Sequence, residues 1–244
     1  MYSYDSTVRY SECDEHGNLS ILAMLNYLQD GSIFHSELLG RGVDFMSEHN
    51  QAWLIAAWQI QIERLPRFNE HIAIETWCYS VSRTLAARNF VIRDDAGEQL
   101  VRADSLWFVF DFKSGRPIRI PQEQMVFQGT EPRLDMPPTS RRLPVEGSFS
   151  EATPITVSEL HLDSNRHVNN AQYVGMAINA IAQVFGHEAM SQTTNIARIC
   201  IQYKRQALLG DVIIPRVHAT DGVCTVDLAD PEGDTFSVVR IETR

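Results

Sequence analysis

An internal repeat is the feature that most constrains the fold of this 244-residue chain. Three segments of the first half correspond, in the same order, to three segments of the second. The pairs are Asp14 with Asp163, residues 60–76 with 201–217, and Gly97 with Gly233. The spacing between partners drifts slowly, as insertions in a longer first half would require. Because a repeated unit folds in the same way at each occurrence, the sequence predicts two similar domains that arose by duplication.

Each half contains the same succession of predicted elements. An aspartate-bearing turn leads into one helix, at residues 19–39 in the first half and 170–185 in the second. Segments rich in β-branched and aromatic residues follow, which is typical of strands. These segments are 71–81, 85–94, 100–112, 197–205, 211–219, 223–230 and 236–244. One helix followed by several antiparallel strands predicts an α+β fold, in which the helix covers one face of the sheet.

A proline-rich stretch with little apolar periodicity separates the two halves. Such a composition is typical of a linker rather than of a helix or a strand. We therefore expect an N-terminal domain at residues 1–130, a linker at 131–152 and a C-terminal domain at 153–244.

Charge and composition exclude several functions. The formal net charge of -10 argues against non-specific nucleic-acid binding, which needs a basic face. No apolar run approaches the roughly 18 residues that cross a bilayer, and the start of the chain has no signal-peptide pattern. We therefore expect a cytoplasmic protein without a membrane span. Four scattered cysteines predict reduced thiols and no metal site; they are Cys13, Cys78, Cys200 and Cys224.

The stretch LHLDSNRHVNNAQYVG, residues 160–175, concentrates asparagine at the start of the second predicted helix. Asn and Asp cap helices by accepting hydrogen bonds from the first N–H groups, and one such residue is enough. An isolated turn of this kind is ordinarily a solvated cap. The first half has His16, Asn18 and Ser20 where the second half has Asn165, His167 and Asn169. Since either version would cap a helix, we expect the second turn to have a further function.

The segment LDSNRHVNNAQYVGM resembles the signature N-x-H-V-N-N-x-x-Y of the acyl-acyl-carrier-protein (acyl-ACP) thioesterases, the plant FatA/FatB type and its bacterial relatives. The opening segment, VRYSECDEHGNLSILAMLNYLQD, looks like the opening of the bacterial members. The resemblance covers most of the chain. It implies a tandem hotdog fold, in which an antiparallel sheet wraps a long central helix in each half. Single-domain hotdog thioesterases that act on acyl-CoA share a shorter form of the signature.

The resemblance also implies a catalytic site. Asp163, Asn165 and His167 stand where the family has its catalytic Asp, Asn and His. The family's Glu and Cys in the next strand are replaced here by Gln206 and Ala207, which excludes a thiol nucleophile at that position. The ordinary pKa of the histidine side chain type lies near neutrality, which suits a general base, and Asp163 could orient the His167 ring or share its role. Asn165 and Gln206 could hold the water or the thioester, and N–H groups at the helix start would face the oxyanion.

Further residues are expected to bind substrate. Asn169, Asn170 and Tyr173 belong to the signature itself. Trp53 and Trp58 lie in the first half, where the resemblance places the acyl-chain pocket, although core packing is the ordinary role of a tryptophan.

The implied reaction is the hydrolysis of fatty acyl-ACP to free fatty acid and holo-carrier protein, without a cofactor. The expected partner is acyl carrier protein, with a homodimer left open. Candidate docking clusters are Arg116 with Arg119, and Arg133 with Arg141 and Arg142. Two alternatives remain: an acyl-CoA thioesterase that uses the same site, and a non-catalytic hotdog protein that binds acyl thioesters. Gln206 and Ala207 favour the second alternative.

Overall fold

The computed structural model of the chain describes residues 1–186, 195–220 and 222–244. The chain divides into two compact units, Met1–Thr139 and Ser140–Arg244. This division lies inside the stretch 131–152, whose assignment as a linker stays a prediction.

The N-terminal unit is an antiparallel sheet with one long helix. Its strands are β1 (Tyr2–Thr7), β2 (Gln51–Ile62), β3 (His71–Val81), β4 (Ala86–Asp94), β5 (Gln99–Asp111) and β6 (Arg116–Ile118). Its helices are α1 (Ile21–Leu38) and the short α2 (Val43–Glu48). The strand order is β1-β3-β4-β5-β2, with β6 paired to β5. Helix α1 packs against β3 and β1.

Local chemistry sets the limits of α1. The Ser20 side chain accepts a hydrogen bond from the Ala23 N–H at 3.2 Å, which caps the first turn. The helix ends at Leu38, and Gly40 follows with a φ of 64°, a left-handed conformation that favours glycine. Met24 and Leu28 on its inner face are completely buried. These contacts confirm the helix that the sequence predicted at 19–39.

The C-terminal unit repeats this arrangement. Its helix is α3 (Asn170–Phe185), and its strands are β7 (Ser150–Glu151), β8 (Ile155–Thr156), β9 (Ile196–Tyr203), β10 (Val212–Thr220), β11 (Val223–Ala229) and β12 (Thr235–Thr243). The strand order is β7-β10-β11-β12-β9, with β8 also paired to β10. Helix α3 packs against β10, β11 and β12. The two units therefore share one strand order, which confirms the predicted repeat and the α+β class.

Corresponding hairpin turns repeat in detail. Gly97 has a φ of 81° and donates its N–H to the Asp94 carbonyl. Gly233 has a φ of 97° and donates its N–H to the Asp230 carbonyl. An arginine bonds the carboxylate of the same aspartate in each unit, Arg64 to Asp94 and Arg205 to Asp230. The alignment of Gly97 with Gly233 is thereby confirmed.

A buried carboxylate fixes the proline-rich segment 132–139 to the N-terminal unit. Asp104 on β5 is only 1% exposed, and its Oδ2 accepts hydrogen bonds from both the N–H and the hydroxyl of Thr139 at 3.0 Å. Arg133 lies 3.7 Å from the same oxygen. The Trp77 indole N–H donates to the Pro132 carbonyl at 2.9 Å. The segment is therefore ordered over this sheet.

Within the described ranges, no helix combines the length and the apolar character that crossing a bilayer requires. The four cysteines are thiols rather than disulfides, and Cys78 and Cys200 are buried.

Candidate functional site

The asparagine-rich segment forms a tight turn in front of α3. A bridge between Leu162 and Val168 closes this turn. The Asp163 carboxylate lies inside it, where its Oδ1 accepts hydrogen bonds from the N–H groups of Asn165 at 2.8 Å and His167 at 3.3 Å. Arg166 takes a left-handed φ of 62° so that the chain can reverse. Asp163 therefore holds the backbone of the turn in shape.

The first half contains the same turn. Asp14 Oδ1 accepts hydrogen bonds from the N–H groups of His16 at 3.0 Å and Asn18 at 2.9 Å. Gly17 has a φ of 77° at the position of Arg166, and a bridge between Cys13 and Leu19 closes the turn. The aspartate thus has the same structural role in both units. The two turns differ in the side chains that they present.

His167 presents an imidazole that has no partner among the described residues. The side chain is half-buried, its Nδ1 is inaccessible, and neither ring nitrogen makes a hydrogen bond within the described ranges. No side-chain hydrogen bond joins it to Asp163 there, so an orienting role for Asp163 stays a prediction. Because a buried polar atom without a partner is rare in a native protein, the Nδ1 of His167 is a candidate for contact with a bound molecule.

The asparagines of the turn have separate roles. Asn165 is exposed, and within the described ranges its amide makes no hydrogen bond. Asn169 caps α3: its side chain accepts the Ala171 N–H at 2.8 Å, and its carbonyl accepts the Gln172 N–H at 2.9 Å. Because both of these N–H groups are engaged, the expected stabilisation of an oxyanion rests on the helix dipole and on other donors.

Tyr173 and Ala207 fix the turn to the loop that follows β9. Ala207 is fully buried; its carbonyl accepts the Val168 N–H at 3.0 Å, and its N–H donates to the Tyr173 hydroxyl at 2.9 Å. Burial raises the pKa of Tyr173 to about 12, so its hydroxyl stays protonated at neutral pH. The Tyr203 hydroxyl donates to the Asn170 carbonyl at 3.1 Å. Gln206 is exposed and adjoins Ala207, so its backbone lies beside the turn.

The C-terminal unit therefore brings seven predicted site residues to one turn and its supporting loop. They are Asp163, Asn165, His167, Asn169, Asn170, Tyr173 and Gln206. Within the described ranges, no group of three or more His, Cys, Asp or Glu side chains is arranged to hold a metal ion.

The N-terminal unit contains an open-mouthed cavity of about 90 Å³ beside α1. Its lining is mostly apolar and aromatic: Ser32, Ile33, Ser36, Trp53, Cys78, Ala86, Arg88, Trp107 and Phe127. Trp53 lies on the wall, and its expected role in binding the acyl chain stays a prediction. Trp58 is 2% exposed and does not line it; its ring packs against Phe90 and Trp107, with centroids 4.8 and 6.2 Å away.

Arg88 in this cavity was not predicted from the sequence. Its position between Ala86 and Phe90, two core residues of β4, was the one available signal, since alternation along a strand places all three on the same face.

Comparison with known families matches residues 1–126 to the acyl-ACP thioesterase N-terminal domain and residues 147–242 to the C-terminal domain. The oleoyl-acyl carrier protein thioesterase 1 of Arabidopsis thaliana is 26% identical over 232 residues, 87% of this chain and 62% of that protein. The palmitoyl-acyl carrier protein thioesterase of Cuphea hookeriana is 25% identical over 221 residues, 84% of this chain and 52% of that protein. The chain thus spans about half to three-fifths of the length of these relatives.

Solved structures show the same fold. An acyl-ACP thioesterase from Bacteroides thetaiotaomicron superposes with a TM-score of 0.88 at 21% identity, covering 99% of this chain and 97% of that chain. The 12:0-ACP thioesterase from Umbellularia californica gives a TM-score of 0.83 at 22% identity, covering 100% and 96%. The predicted tandem hotdog fold is confirmed.

Proposed function

Because the chain belongs to the acyl-ACP thioesterase family, we propose that it hydrolyses fatty acyl-ACP thioesters to the free fatty acid and the holo-carrier protein. One observation carries this proposal. Two turns share one backbone geometry, yet only the second presents an imidazole and an exposed amide without partners among the described residues.

In the proposed reaction, His167 accepts a proton from the water that attacks the thioester carbonyl, and it returns this proton to the thiolate that leaves when the C–S bond breaks. The exposed amide of Asn165 holds that water or the thioester carbonyl. Gln206, where the resemblance implies a Glu, orients the water without accepting its proton, because an amide has no basic oxygen at neutral pH. Asp163 keeps the turn in shape, and the dipole of α3 stabilises the developing oxyanion.

Residues outside the catalytic set receive the substrate. We assign Asn169, Asn170 and Tyr173 to its binding at the turn, through the cap and loop contacts that hold the turn against Ala207. The acyl chain occupies the cavity of the N-terminal unit, with Trp53 on its wall. Trp58 supports the wall through its contact with Trp107. A cytosolic location and a homodimer remain predictions.

Free-thiol release tests the proposed activity. Carrier-protein thioesters of several acyl lengths are incubated with the protein, and the same chains are supplied as acyl-CoA. We expect thiol release with a higher kcat/KM on the carrier-protein substrates. A higher kcat/KM on acyl-CoA would favour the first alternative. Retention of the acyl thioester without thiol release would contradict hydrolysis and favour a binding protein.

Two pairs of exposed arginines are candidates for docking the acidic carrier protein. Arg116 with Arg119, and Arg141 with Arg142, extend into solvent, whereas Arg133 bonds the Met136 carbonyl and lies beside Asp104. Reversing the charge of either pair to glutamate should lower kcat/KM for carrier-protein substrate more than for a small acyl thioester. The difference should shrink with added salt, because exposed charges are screened over about 10 Å at ordinary ionic strength. An equal loss on both substrates would indicate structural damage instead.

A further inference from the structure

Arg88 places a positive charge inside the N-terminal unit. It lies on β4, beside Cys78 on β3 and Ser105 on β5, and is only 6% exposed. Its side chain forms part of the cavity wall together with Trp53, Trp107 and Phe127. Removing a charged group from water is costly unless other groups compensate it. The partners of Arg88 therefore decide what this cavity can bind.

Other groups of the protein compensate the buried charge of Arg88 only in part. Its Nη1 donates to Nδ1 of His35 at 3.0 Å and to the Thr76 hydroxyl at 3.1 Å. Burial and the neighbouring guanidinium lower the pKa of His35 to about 4, so the ring is a neutral acceptor at neutral pH. Burial lowers the pKa of Arg88 to about 10, which still leaves the guanidinium charged. Within the described ranges, its Nε and Nη2 make no hydrogen bond, and no carboxylate pairs with it.

The other side-chain donors of the cavity wall are already engaged. Ser32 and Ser36 donate to carbonyls of their own helix at 2.7 and 2.8 Å. The Trp53 indole N–H donates to Gln124 at 3.0 Å, and that of Trp107 donates to Ser105 at 2.7 Å. The Cys78 thiol donates to the Ser80 carbonyl, so among the described lining residues the guanidinium is the side chain with donors left for a ligand.

We propose that this cavity binds a carboxylate on a short apolar chain, with the Arg88 guanidinium as its partner. The planar guanidinium matches the two oxygens of a carboxylate, and the aromatic wall accommodates the chain. Two kinds of molecule carry such a carboxylate on an apolar chain. One is a dicarboxylic acyl thioester, which has a carboxylate at its far end, and the other is a released fatty acid. Assigning it to a substrate rests on the proposed function, whereas carboxylate binding itself does not.

Calorimetric titration of the full chain tests the binding. The ligands are the n-alkanoates from hexanoate to dodecanoate and the n-alkanols of the same lengths, which differ in the charged end alone. We expect the wild type to bind the best alkanoate about tenfold or more tightly than its matched alkanol, the scale of hydrogen bonds to a charged group. Equal affinities would overturn the proposal, and this comparison needs no variant.

Substitution then locates the site. Arg88→Met keeps much of the side-chain volume and should bring the alkanoate-to-alkanol ratio close to one. Arg88→Lys keeps the charge and should retain part of the preference. Arg93→Met is the matched control, because Arg93 lies on the same strand, outside the cavity, paired with Glu75; it should keep the wild-type ratio. A folded Arg88→Met variant with the wild-type ratio would overturn the proposal.

Hydrolysis identifies the source of the carboxylate. Thiol release is compared between an ω-carboxyacyl-ACP and the unsubstituted acyl-ACP of equal length. A preference for the ω-carboxyacyl chain that disappears in Arg88→Met assigns the carboxylate to a substrate. Equal rates, together with alkanoate binding, assign it to the released fatty acid. A protein that binds alkanoates in this way but releases no thiol would contradict the proposed function and leave the cavity assignment standing.

Discussion

His167→Ala is expected to lower kcat for acyl-ACP hydrolysis by about 10²-fold or more, the scale of losing a general base. The turn itself should persist, because its backbone hydrogen bonds go to Asp163 and not to the imidazole. The melting temperature should therefore stay close to that of the wild type. The measurement is the steady-state rate of thiol release, with a thermal melt of the same preparation.

The repeated turn provides a matched control for this prediction. Asn165→Ala should also reduce hydrolysis, since the exposed amide faces the proposed substrate. His16→Ala alters the corresponding position of the first turn and should leave the rate unchanged. Near-normal hydrolysis by His167→Ala would end the catalytic interpretation of the second turn. Equal losses in Asn165→Ala and His16→Ala would show that both turns act through stability.

Asp104→Ala should lower the free energy of unfolding by about 3 kcal/mol or more. The carboxylate is buried and accepts hydrogen bonds from Tyr79, Asn89 and Thr139. Removing it leaves these donors without an acceptor and frees the segment 132–139 from the sheet. Urea denaturation measures the change, with the midpoint and the slope both recorded.

Asp135→Ala is the control for this substitution. Asp135 lies on the same segment but is exposed, so its loss should change the free energy of unfolding by no more than about 0.5 kcal/mol. If Asp104→Ala were as stable as this control, apolar contacts would have to hold the segment. Its hydrogen bonds would then contribute little.

Much of the fold follows from pattern alone. Predicted helices 19–39 and 170–185 correspond to Ile21–Leu38 and Asn170–Phe185. Both lie between a polar turn and a glycine, where capping chemistry marks the ends. Predicted strand 71–81 corresponds to His71–Val81, because its flanks are polar and its residues are β-branched or aromatic.

Other elements carry weaker signals. The sequence did not predict β2 (Gln51–Ile62), because it is a nearly continuous apolar run, whose periodicity does not distinguish a strand from a buried helix. The edge strand β1 (Tyr2–Thr7) is short and polar, and it is defined by its pairing with β3. Strand pairings of this kind join residues that are distant in sequence, so a local sequence pattern does not predict them.

Positions within the turn were predictable, but their partners were not. Repetition and resemblance together identified His167 and Asn165 as candidates. Nothing in the sequence showed that the Asp163 oxygen is used by two backbone N–H groups, since those bonds arise from the closed shape of the turn. The sequence also did not show that the charged side chain of Arg88 is buried, because that burial results from three neighbouring strands and a helix.

The paired turns also bear on how such a protein can evolve. One aspartate maintains the loop in each copy, and the side chains proposed to react, His167 and Asn165, occupy other positions of that loop. After a duplication, substitutions at these other positions can remove the activity of one copy without unfolding it. An aspartate in this loop therefore marks common ancestry, and it does not reveal which copy selection has kept active.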